Sequence, residues 1–292
     1  MMENYIFLDA WALSLYTKKE REKLLSRFVL ENDYTILINS ATLVEAYNSG
    51  WRNANGEERM QAISRFLSKH RCAFIYPENV FGAEIRAFPN TLNSLPVDLN
   101  LHDVPADLRG SELLKFFRED ASYVGQGKNV REWFVNLNAT KARWLNDVNG
   151  IIEDACQKNV LLRNDSGEFI ELQERKEKFL VSLDRRHFTE DEIQQGGKEV
   201  IELFLEETSR LPAVRMSSLC FWHEYIELDK AFPMAMQGSD IADHYQISLI
   251  PYCKAFTVDK NMFRLVNRIL KETDYSCNIL NPSALEQELA RS

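Results

Sequence analysis

Five carboxylates stand where acidic side chains can do chemistry. Asp9 follows the apolar run Tyr5-Ile6-Phe7-Leu8, and Asp259 follows Ala255-Phe256-Thr257-Val258. Glu45 lies five residues past Ser40, early in the helix expected after a second apolar run. Asp240 and Asp243 open a helix behind Gly238-Ser239. In a parallel sheet the C-terminal ends of the strands and the N-termini of the following helices share one edge, where open α/β sheets hold their ligands. Carboxylates gathered there in a low-dielectric cleft repel one another. Hard divalent cations such as Mg²⁺ or Mn²⁺, which prefer oxygen ligands, relieve that repulsion. Metals about 4 Å apart can activate water and stabilise the leaving oxygen of a phosphodiester. Taken singly, each acid has a plainer role. Asp9 and Asp259 suit helix N-caps, Asp240 and Asp243 suit a helix N-terminus, and Glu45 suits a solvated helix. What distinguishes the set is that two strand-end acids from opposite ends of the chain occupy equivalent topological positions.

The elements that must position these acids follow from hydrophobic periodicity. Apolar runs at Tyr5–Leu8, Tyr34–Ile38 and Ala73–Tyr76 alternate with helical patterns over about Lys18–Leu30, from Asn39-Ser40 through Tyr47, and over Glu57–Lys69. Short, continuously apolar runs suit strands covered on both faces, as in a parallel sheet with helices outside. The style returns at the far end, with Ala255–Val258, a helix over about Asn261–Lys271, and a last strand at Cys277–Leu280. Residues 1–90 and 235–292 therefore read as two parts of one α/β sheet. The middle, 91–234, reads as a mostly α-helical insertion between the third and fourth strands, entered through a loop punctuated by Pro89, Pro96 and Pro105. Its candidate helices are Ser111–Tyr123, Val130–Asn159, Phe169–Leu183, Glu190–Arg210 and Val214–Lys230.

Composition sets the class. With 292 residues, 45% hydrophobic and 27% charged, the chain can bury a sizeable core, which excludes wholesale disorder. No apolar run approaches the roughly 18 residues of a transmembrane helix, and the N-terminus lacks the basic and apolar regions of a signal peptide. Cys72, Cys156, Cys220, Cys253 and Cys277 form no Cys-x-x-Cys pair, so neither a disulfide framework nor a structural zinc site is expected, and a reducing cytoplasm fits best. A net charge of -9 excludes a generic basic coat for nucleic acid, though not a local basic patch.

The pieces Phe7-Leu8-Asp9, Ser40-x-x-x-x-Glu45, Gly238-Ser239-Asp240-x-x-Asp243-His244 and Phe256-Thr257-Val258-Asp259 resemble the motifs of PIN-domain ribonucleases. Leu249-Ile250-Pro251-Tyr252 resembles a bacterial PIN-like subgroup. The resemblance covers roughly residues 1–90 and 235–292 and leaves out the helical middle; His244 stands where the family often has Ala. It implies a PIN-like parallel sheet flanked by helices, with Asp9, Glu45, Asp243 and Asp259 holding Mg²⁺ or Mn²⁺. Asp240 would be an accessory acid or an alternative ligand, and Thr257 would orient the Asp259 carboxylate or water. The implied activity is endonucleolytic cleavage of RNA, usually single-stranded, by water that the metal activates. Family habit also implies a toxin–antitoxin or phage-defence role. The helical middle would shape the substrate groove, bind a protein partner or hold a homo-oligomer together.

Two further readings stay open. One is a catalytically silent PIN-like scaffold that binds RNA or protein. The other is a metal-independent ribonuclease using Arg65 and His70, an Arg-x4-His pattern. His223-Glu224 and Asp243-His244 raise a transition-metal site, but no His-x-x-x-His or Cys-His pairing in the sequence supports it. Gly196-Gly197 lacks the context of a phosphate loop. For RNA contact, Lys18-Lys19, Arg175-Lys176-x-Lys178 and Arg185-Arg186-His187 are interrupted by acids and suit solvated helix faces. Trp11, Trp133, Trp144 and Trp222 suit packing; Trp51-Arg52, in the Gly/Asn-rich loop after the Glu45 helix, is the exception, expected near the cleft, where the indole would stack on a base.

Overall fold

The computed structural model describes residues 4–16, 19–48, 56–88, 90–92, 94–105, 107–109, 111, 112, 115, 142, 146, 149, 150, 210–226 and 238–291. Most of the segment read as a helical insertion lies outside the described residues, as do Trp51-Arg52, Trp133, Trp144 and the cations at 18 and 175–187.

Among the described residues six strands form one sheet: β1 (Tyr5–Phe7), β2 (Thr35–Asn39), β3 (Cys72–Ile75), β4 (Leu99–Asn100), β5 (Ala255–Thr257) and β6 (Asn278–Leu280). Their order is β4-β3-β2-β1-β5-β6, parallel throughout except for β4, which runs antiparallel on the edge beside β3. The register places Ile6 opposite both Ile36 and Ala255, and Phe7 opposite both Leu37 and Phe256. From β1 the chain steps one way through β2 and β3, and it later returns on the other side of β1 as β5 and β6. The crevice between β1 and β5 is therefore a topological switch point, the place where such sheets bind ligands.

The strands are apolar on both faces because both faces are covered. Tyr5, Phe7, Leu37, Ala73, Ile75 and Phe256 point into one buried cluster; Ile6, Leu8, Ile36, Ile38, Phe74 and Ala255 point into the other. This is the period-2 alternation of a strand with two hydrophobic partners. Over the second face lie α1 (Ala10–Tyr16), α2 (Lys19–Glu31), α3 (Ser40–Asn48), α4 (Gly56–Leu67) and α9 (Pro282–Arg291), through side chains such as Leu13, Phe28, Leu43, Phe66 and Leu285. Over the first lie α5 (Pro77–Ala87), α6 (Pro212–Phe221), α7 (Gly238–Ile247) and α8 (Lys260–Leu270), through Val80, Val214, Leu219, Ile247 and Val266. Phe7 and Phe256 stack across the sheet centre, ring centroids 4.4 Å apart.

The sequence pattern predicts strands at each of β1, β2, β3, β5 and β6. It does not predict α1, α5, α9 or β4. The flanks of the middle segment belong to the layered core: β4 extends the sheet, and α6 carries Val214, Met216, Leu219 and Cys220 into the first-face cluster. After Phe221 the helix widens into a π-helical turn, Trp222–Ile226. Within the described residues no helix is long and apolar enough to cross a membrane.

Candidate active site

Asp9 leaves β1 and opens α1. Its backbone N–H donates to Thr257 Oγ1 at 2.7 Å, and the Thr257 hydroxyl reaches the Phe7 carbonyl at 3.3 Å. Thr257 is the fully buried last residue of β5, so one hydroxyl ties the two strand ends that flank the switch point. The Thr257 contacts shown are thus to the backbone of Asp9 and Phe7, where orientation of the Asp259 carboxylate or water is expected. The Asp9 carboxylate accepts the Ala10 N–H through Oδ1 and is 9% exposed. Burial, then the charge of Glu45 and, more weakly, that of Asp259, push its pKa up to about 7. Ala10 N–H donation pulls the other way and is outweighed.

Asp259 is an N-cap by geometry. Its backbone is extended, and Oδ1 accepts the N–H groups of Asn261 and Met262, each at 2.8 Å. Capping engages Oδ1 and leaves Oδ2 outside the cap, so the structural role does not use the whole carboxylate. Glu45 sits half-buried on α3, a helix capped by Asn39, whose Oδ1 accepts the Thr42 N–H at 2.8 Å. Gln246 on α7 reaches Glu45 Oε2 at 3.5 Å.

Asp243 is half-buried on α7, and its charge acts on the Cys220 thiol. Asp240 lies in the first turn of α7, with its side chain outside the described residues. The structure therefore brings Asp9, Glu45 and Asp259 into one electrostatic neighbourhood at the β1/β5 edge. The three are spaced more widely than a tight ligand cage: among the described residues, the group of three whose ligand atoms all lie within 4.8 Å of one another is Cys220, Glu224 and His244. Wide spacing suits Mg²⁺, which keeps several waters and takes one or two carboxylates directly. Among the described residues the charges acting on Asp9 are those of two further acids, and an all-oxygen set is of the kind that a hard divalent ion takes.

The Arg-x4-His pair is not presented as a catalytic couple. Arg65 is exposed on α4, whereas His70 is 2% exposed, packs on Phe66 and has Nε2 3.0 Å from Ser26 Oγ. Burial, then the Lys69 charge, lowers its pKa to about 4.

Two features escape the sequence pattern. No Cys-His pairing is expected, yet Cys220 Sγ lies 3.6 Å from His244 Nε2, and Glu224 Oε2 lies 2.9 Å from the same nitrogen. The readable signal is Cys220-x-x-x-Glu224, an i,i+4 pair; its His partner is set by the packing of α6 on α7. The second feature is Glu84, 1% exposed, which accepts the N–H groups of Ala213 (2.7 Å) and Val214 (3.1 Å) at the start of α6 and the hydroxyl of Tyr252. Compared with protein families, with curated proteins and with solved structures, the chain matches none.

Proposed function

We propose that the chain is a PIN-like, Mg²⁺- or Mn²⁺-dependent endoribonuclease that cleaves single-stranded RNA at the β1/β5 edge. The observation that supports this reading best is Asp9, a buried carboxylate at a topological switch point whose charged neighbours, among the described residues, are two further carboxylates. Above neutral pH such an arrangement destabilises the fold unless the acid keeps its proton or positive charge is supplied from outside. Asp9, Glu45 and Asp259 would hold a divalent ion, with Asp243 and Asp240 as the remaining acids on α7. When bound, the ion supplies charge to a phosphodiester and acidifies water. The chain's own part is positional. Thr257 fixes the start of the Asp9 turn against β5, the cap at Asp259 holds Oδ1 and so fixes the direction of Oδ2, and Gln246 meets Glu45 from α7.

The test is incubation of the purified chain with end-labelled single-stranded RNA in Mg²⁺ or Mn²⁺. Cleavage is expected, abolished by EDTA and absent from folded Asp9→Asn and Asp259→Asn. Cleavage that survives EDTA and disappears in His70→Ala would transfer the activity to the Arg65/His70 pair. RNA or metal binding without turnover would make the chain a silent scaffold.

A further inference from the structure

Cys220, Glu224 and His244 join two elements that cover the same face of the sheet. Cys220 is the penultimate residue of α6, Glu224 lies one helical turn on in the π-helical turn, and His244 is on α7. Cys220 is fully buried, His244 is 6% exposed and Glu224 is half-buried. Their ligand atoms all fall within 4.8 Å of one another. The Cys220 Sγ and Glu224 Oε2 both converge on a single atom, His244 Nε2, at 3.6 and 2.9 Å. An imidazole nitrogen has one proton or one lone pair to offer, so it cannot serve both partners well. One cation placed among the three serves all of them. In a tetrahedral site with Zn–S about 2.3 Å and Zn–N and Zn–O about 2.0 Å, nitrogen stands roughly 3.5 Å from sulfur and roughly 3.3 Å from oxygen; here the distances are 3.6 and 2.9 Å, so the sulfur edge matches and the carboxylate would shift outward by a few tenths of an ångström. The π-helical turn favours the same arrangement, since such bulges are frequent at functional sites.

We propose that Cys220, Glu224 and His244 form a transition-metal site of the zinc class, distinct in chemistry from the all-oxygen edge. Thiolate and imidazole select a softer ion than Mg²⁺. On binding, Cys220 S–H releases its proton to solvent, His244 takes the tautomer with the Nε2 lone pair free, and Glu224 binds as carboxylate. Three protein ligands leave the fourth tetrahedral position to water. The ion would pin the end of α6 to α7, the helix that carries Asp243 and that meets Glu45 through Gln246.

Co²⁺ is the probe, titrated into the purified, reduced full chain and followed by absorbance. One equivalent is expected to bind with a thiolate-to-cobalt charge-transfer band that Zn²⁺ displaces and Mg²⁺ does not. Cys220→Ser should lose the band, while Cys253→Ser and Asp9→Asn should keep it. Glu224→Gln, the variant least disturbing to the core, should weaken Co²⁺ binding at least as much as the roughly 10- to 100-fold lost with an outer-shell partner, and Zn²⁺ should raise the melting temperature of wild type but not of His244→Gln. A folded wild type that binds Co²⁺ without the band, a band that persists in Cys220→Ser, or a Glu224→Gln that binds as wild type does would each overturn the site.

Discussion

Asp9 and Glu84 are both buried carboxyls raised to about 7, and they are raised in different company. Glu84 is pushed up by burial, while Tyr252 and the N–H groups of Ala213 and Val214 pull it down. Its three donors hold the carboxyl at the start of α6, beside a helix N-terminus. Among the described residues Asp9 has one backbone donor, and its charged neighbours are Glu45 and Asp259, which push the same way as burial. A perturbed acid is therefore no signature of a site by itself. The sign of its surroundings separates a carboxyl that the fold supplies with hydrogen-bond donors from one whose charged neighbours, among the described residues, are further acids.

The sharpest way to break this comparison is Glu84→Ala. It strands two buried N–H groups and a buried hydroxyl, each costing roughly 1–3 kcal/mol. Chemical denaturation should show a loss of about 3 kcal/mol or more, with Glu84→Gln losing less because its amide oxygen still accepts. Asp9→Asn should act in the opposite direction. Removing the repelled charge is expected to stabilise the chain at pH 8 by about 1–2 kcal/mol, while RNA cleavage falls at least roughly 100-fold through loss of a metal ligand. A destabilised Asp9→Asn would mean that Asp9, like Glu84, is a satisfied structural group.

The pH dependence sharpens the contrast. Both folded-state pKa values lie above the unfolded ones, so the folded chain holds these protons more tightly. The associated stability is fully present below the ordinary carboxylate range and is lost as pH rises through about 7. Denaturation midpoints should fall between about pH 4 and pH 7. Asp9→Asn and Glu84→Gln should each flatten part of that fall. At pH 8, Mg²⁺ should restore stability to wild type and to Glu84→Gln but not to Asp9→Asn.

Smaller effects are expected beside Asp9. Thr257→Val removes the acceptor of the Asp9 N–H, for about 1 kcal/mol, and Thr257→Ser should recover most of it. Asp259→Asn should change stability by only a few tenths of a kcal/mol, because Asn caps helices about as well as Asp. Its Mg²⁺ response should nonetheless weaken, which separates the cap from the ligand.

Much of this architecture was legible in the sequence because parallel strands with two covered faces leave unbroken apolar runs. Phe7 and Phe256 belong to runs that read directly as strands, and the acids closing those runs, Asp9 and Asp259, could be placed on one edge from strand direction alone. The first helix was not legible: it is seven residues long and starts directly after Asp9, too short for a period of 3.6 to show. Helix α5 begins at Pro77 immediately after β3, where the proline reads equally as a turn. Edge strand β4 has two residues and no pattern of its own. Contacts made by packing were equally hidden. Glu84 meets Ala213 and Tyr252 from far along the chain, and Cys220 meets His244 only because α6 lies against α7.

The most direct test of the central claim is an anomalous difference map from crystals grown with Mn²⁺. A peak is predicted at the β1/β5 edge, bounded by carboxylate oxygens of Asp9, Glu45 and Asp259. A map with no peak there at saturating Mn²⁺, and Asp9 still buried beside its two acidic neighbours, would contradict it.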